Sequence, residues 1–128
     1  MIYHLRITLS MLAIVCGFAL DIDWKIGMST EEQQVTVPVG TDVFLKWSGN
    51  HDVYKFPDNT AYDKCDFSQA TEMADDDDSP YPYKATSPGI VYFGCSIGPH
   101  CKLNQKLALT VTGMFSVWAN LFRRTVVI

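Results

Sequence analysis

The chain has 128 residues, 48% of them hydrophobic, with a formal net charge of −4, enough for one domain with a real core and too short for two. All fourteen Asp and Glu lie between Asp21 and Asp78, and residues 21–113 set only seven Lys against them, a net −7. An acidic segment with no basic stripe excludes a nucleic-acid backbone as its partner.

In chain order, residues 1–19 read as a secretory signal peptide: Arg6 precedes an apolar run over residues 7–19 that Thr8, Ser10 and Gly17 interrupt, and no acid appears before Asp21. The run is short for a bilayer core of roughly 30 Å, which needs about 20 apolar residues. Gly17, Phe18 and Ala19 supply small residues at the usual cleavage offsets, so the mature domain is expected to start near residue 20 and to be secreted.

Period-two patterning then begins. Val35, Val37 and Val39 alternate with Thr36 and Pro38, and Val43, Leu45 and Trp47 with Phe44 and Lys46, two half-buried strands joined by a turn at Gly40-Thr41. Pro38 cannot donate to a ladder and argues for an edge strand or a strand end. Further strands are predicted over residues 51–56, 90–95 and 105–111. Residues 57–89 carry Pro57, Pro80, Pro82, Pro88 and the acidic run 75–78, and read as one long connection with a helical turn near residues 67–73. The pattern is that of an all-β antiparallel sandwich or barrel over residues 20–113. Residues 114–128 form a tail whose plainer reading is a frayed or truncated terminus; Phe115, Trp118, Ala119 and Phe122 sit at helical spacing, a face suited otherwise to a membrane surface or to the sandwich itself. Arg123-Arg124 and the lack of a small-residue site set this tail apart from a lipid-anchor signal.

With the leader removed, Cys65, Cys95 and Cys101 are the remaining cysteines, and His51 and His100 the remaining histidines. In an oxidising compartment one disulfide absorbs two of three thiols, and the third becomes a reactive thiol, an intermolecular bridge or a metal-bound thiolate. Cys95, His100 and Gln105 follow a C-x4-H-x4-Q spacing between two predicted strands, and His51 opens another. A thiolate, two imidazoles and a weak axial group are what a copper electron-transfer site uses. Neighbours on an extended chain face opposite ways, which turns Cys101 away from His100 and leaves Cys65 as its natural partner. Such a bridge closes about 36 residues and is worth roughly 3–4 kcal/mol. Taken singly, each residue has a plainer reading: Cys95 as a buried thiol or disulfide partner, His51 as polar surface, Gln105 as a solvent-facing strand residue. The acidic run 75–78 reads as a solvated loop before it reads as a calcium site or a docking patch.

The stretch Val91-Tyr92-Phe93-Gly94-Cys95, then Ser-Ile-Gly-Pro-His100-Cys101, then Lys-Leu-Asn-Gln105 resembles the copper loop of phytocyanins, a cupredoxin family, and its glutamine resembles the stellacyanin form. Asn50-His51-Asp52-Val53 is similar to the segment of the family's first histidine ligand, and Cys65 to the partner of the cysteine after the second. The resemblance covers residues 22–112. It implies a cupredoxin-like Greek-key β-sandwich holding one type 1 copper, with His51, Cys95 and His100 equatorial, Gln105 axial, and a Cys65–Cys101 disulfide.

The expected function is single-electron transfer to an unidentified redox partner, a basic protein or a small molecule, with no enzyme activity: two histidines cannot build further copper centres for oxygen chemistry. The alternative is an extracellular adhesion or structural module that keeps the fold without redox work.

Overall fold

The computed structural model describes residues 17–113. The period-two runs become β2 (Gln34–Pro38), β3 (Asp42–Lys46), β4 (Val53–Phe56), β7 (Gly89–Gly94) and β8 (Lys106–Thr112). Along β8, Leu107, Leu109 and Val111 are buried while the residues between them are only partly covered, as the alternation requires. Three more strands complete two sheets: β1 (Ala19–Asp23), β5 (Thr71–Ala74) and β6 (Tyr81–Lys84). One sheet has the order β1-β3-β6 and the other β2-β8-β7-β4-β5. The pairs β1–β3 and β2–β8 are parallel and the rest antiparallel, so the chain crosses between sheets in the manner of a Greek key. Between them lies a core that includes Trp24, Val43, Leu45, Phe93, Leu107 and Leu109. Each such side chain stabilises by about 1.5–3 kcal/mol relative to leaving it in water.

Pro38 closes β2, which pairs only with β8 and is an edge strand, as its missing N–H demands. Residues 57–89 differ from the expected long connection. The helix, α1 (Asn59–Lys64), lies upstream of residues 67–73 because Asp58 is its N-cap, its carboxylate accepting from the Ala61 N–H at 2.9 Å. Cys65 ends α1 in the left-handed region with φ 51°. The same stretch contributes β5 and β6. Each has four residues, too few to show a period, and Pro82 lies inside β6, tolerated because β6 is an edge strand.

β1 begins at Ala19, paired with Asp42, and the Asp42 N–H donates to Phe18 O at 2.8 Å. The expectations of a leader over residues 1–19 and a tail over residues 114–128 fall, apart from residues 17–19, outside the described residues. A second, smaller cluster of Phe56, Ala61, Tyr62 and Cys101 packs beneath α1. No described helix is long and apolar enough to cross a membrane.

Candidate metal centre

Antiparallel pairing of β4 with β7 brings the distant parts of the site together. Tyr54 lies opposite Gly94, so stepping back along β4 toward His51 is stepping forward along β7 toward Cys95 and Ser96. Gly94 permits the join: a Cβ there would stand 2.6 Å from the Phe56 ring, a side chain only 2% exposed. Any larger residue would displace that ring just before the cysteine.

The loop of residues 95–105 is shut by its own backbone. The Cys95 N–H donates to Gln105 O at 3.1 Å and the Gln105 N–H to His100 O at 3.0 Å. His100 has helical dihedrals and opens a 3-10 turn, Cys101–Leu103, which Asn104 ends at φ 66°. Cys101 does face away from His100, but because successive residues of a 3-10 turn point about 120° apart, not because the chain is extended there. It is bonded to Cys65, 36 residues earlier, which ties the end of α1 to the loop.

Three donor atoms converge. His51 Nδ1 lies 3.2 Å from His100 Nδ1, and Cys95 Sγ lies 3.4 Å from His100 Nδ1. The donor atoms of all three residues lie within 4.8 Å of one another. Burial, then the neighbouring His100, holds His51 below the usual histidine range, which keeps a lone pair free for a metal. Burial pushes the Cys95 thiol up to about 11, against the N–H groups of Asp52 and Ile97 that point at its sulfur. A metal taking this sulfur must therefore displace a proton.

Gln105 is fully buried, and neither its amide oxygen nor its nitrogen has a hydrogen-bond partner. The amide is close enough to favour protonation of His51 without a bond of acceptable geometry. An orphaned buried amide costs about 1–3 kcal/mol, which is the mark of a group reserved for something else. One soft thiolate, two imidazoles through Nδ1 and a neutral amide fit a trigonal copper site with a weak axial donor.

No protein-family profile matches the chain. Over 92 residues it is 34% identical to uclacyanin-2 of Arabidopsis thaliana, a match spanning 70% of this chain and 44% of that protein. The likeness to this relative agrees with the resemblance of the 95–105 loop to the phytocyanin copper loop. The chain covers less than half the length of that relative. Cucumber stellacyanin, titled as a Cu2+ form, superposes with a TM-score of 0.61 at 22% identity, over 76% of this chain and 97% of the other. Spinach plantacyanin does so at 0.58 and 22%, over 73% and 99%. These two likenesses concern the fold.

One residue beside the donors escaped the sequence reading. Asp52 is 6% exposed, and its carboxylate accepts from the Ser96 N–H at 2.6 Å and from the Ser96 hydroxyl. Its carbonyl accepts from the Trp24 indole N–H at 2.9 Å. Strand alternation gives no signal for it, because its neighbour Val53 is buried as well, and only its place next to His51 marks it in the sequence. The acidic run 75–78 is exposed, and its carboxylates bond to its own backbone.

Proposed function

We propose that this chain is a phytocyanin acting as a secreted single-electron carrier, in which His51, Cys95 and His100 would hold one type 1 copper and the Gln105 amide would serve as a weak further donor. The observation that carries the reading is the mutual approach of three donor atoms from two sequence-distant segments, the one that leads into β4 and the loop that follows β7. Copper supplies a centre that cycles between Cu(I) and Cu(II). The protein's part is to keep that cycle free of rearrangement: β4 and β7 fix His51 and Cys95, and the backbone bonds of the 95–105 loop fix His100 and Gln105. The Asp52 and Ile97 N–H groups stabilise the thiolate. The Gln105 amide oxygen, as that further donor, would favour the oxidised ion more than a thioether and so lower the potential. The redox partner belongs to the class of small molecules or basic proteins that an acidic surface attracts.

A redox-silent adhesion module is not favoured, since it leaves the buried Gln105 amide without a purpose. The test is copper reconstitution of the oxidised chain. One equivalent of Cu(II) should produce an intense visible thiolate-to-copper absorption and the narrow hyperfine splitting of a type 1 site by EPR. Full copper uptake into a colourless protein would refute the reading.

A further inference from the structure

Asp52 is the one buried acid among the described residues, and the donor set does not use it. Its contacts are those of a charge-assisted acceptor: an N–H at 2.6 Å and a hydroxyl, both from Ser96, the residue next to Cys95. None of the ion pairs among the described residues involves it, so no cation cancels its charge. Asp52 acts on the Cys95 sulfur in two opposite senses, its N–H favouring the thiolate and its carboxylate disfavouring a second negative charge. Its backbone carbonyl is anchored to Trp24, a core residue 1% exposed, which holds the segment carrying the carboxylate against the core.

We infer that Asp52 is a positioning residue that also sets the potential: its carboxylate clamps the loop through Ser96 and holds a fixed negative charge beside the thiolate. This rests on the copper reading above. A buried charge acts through a low effective dielectric and is poorly screened by salt. A negative charge stabilises whichever state of the centre is more positive, which is the oxidised one. Asp52 therefore lowers the reduction potential, in addition to what Gln105 does from the axial side.

Asp52→Asn separates charge from clamp. The Asn oxygen still accepts from the Ser96 N–H, and its NH2 donates to the Ser96 hydroxyl once that hydroxyl rotates. The experiment is a redox titration of the copper-loaded chain followed by its visible absorption, for the wild type, Asp52→Asn, Asp52→Ala, Ser96→Ala and the exposed control Asp76→Asn. Asp52→Asn should keep the absorption and raise the potential, shifting the Cu(I) to Cu(II) ratio at fixed ambient potential about tenfold, ~59 mV for one electron. The shift should survive high salt. Asp52→Ala should raise the potential as far and, having lost the clamp, also release copper about 10–100-fold more readily to a chelator. Ser96→Ala keeps the charge and should not raise the potential.

An Asp52→Asn potential equal to wild type overturns the inference, as does a rise that Asp76→Asn matches or that salt abolishes. Should Asp52→Asn lose the absorption, Asp52→Ala decides: a raised potential there that Ser96→Ala does not show upholds the charge argument, and an unraised one, or a rise that Ser96→Ala matches, overturns it. A wild-type chain that binds copper without the absorption refutes the carrier reading itself, whereas an intact blue centre with an unmoved potential refutes this inference alone.

Discussion

The loop of residues 95–105 and the acidic stretch of residues 75–78 are both short excursions rich in polar groups, and they spend those groups differently. In the acidic stretch Asp75 accepts from the Asp77 N–H and Asp78 from the Asp75 N–H. That is a capping box closed on itself, fastened to the sandwich by the Trp47 indole N–H on Asp76 O. In the 95–105 loop the backbone bonds close the ring and leave the side chains free to meet residues of β4 and the segment before it. Local partners satisfy the first region, and distant ones complete the second. Only the second gathers donors, because its backbone ring leaves the side chains of Cys95 and His100 free to meet His51 from a distant segment.

The comparison breaks most visibly if the loop is deprived of its sulfur. Cys95→Ser should abolish the visible absorption of the copper-loaded protein while far-ultraviolet circular dichroism stays that of a β-sandwich. Next in size is the Cys65–Cys101 bridge. Replacing both cysteines by Ser should cost roughly 3–4 kcal/mol in denaturant unfolding of the metal-free chain. Gln105→Met should move two properties in opposite directions. Removal of the orphaned amide should raise metal-free stability by about 1–3 kcal/mol, and the thioether should raise the potential of the loaded form.

The thiol supplies a pH test. Its folded value, about 11, stands above the ordinary 9.0, so above pH 9 the unfolded chain binds fewer protons than the folded one. Stability of the metal-free protein from this group is thus whole below pH 9 and is lost as pH rises toward 11. Copper loading, which holds the sulfur as thiolate, should remove that decline, as a series of melting temperatures across this range would show. The smallest effect belongs to the acidic stretch. Asp76→Asn should change unfolding free energy by no more than about 0.5 kcal/mol, and a larger change would mean that the stretch is less self-contained than its hydrogen bonds indicate.

Much of this was legible beforehand, and the reasons are local. The alternation of Leu107, Leu109 and Val111 announces β8 because a half-buried strand needs only a period of two. The spacing of Cys95, His100 and Gln105, with the odd thiol count, points to a soft-metal site from residue types alone. What stayed hidden depended on partners elsewhere in the chain. β5 and β6 are four-residue strands without a readable period, and they exist because β4 and β3 offer free ladders. β1 was obscured by Asp21 and Asp23, which face solvent and reach toward Lys46 and Lys25.

By itself the sequence determined the all-β class and the donor types, since each follows from patterning or from the chemistry of a few side chains. The tertiary structure alone decided that His51 meets Cys95, through the antiparallel register of Tyr54 with Gly94. It alone also sank Asp52 beside the sulfur and left the Gln105 amide without a partner. Those outcomes depend on which strands become neighbours, and neighbourhood is set by the packing of the whole core.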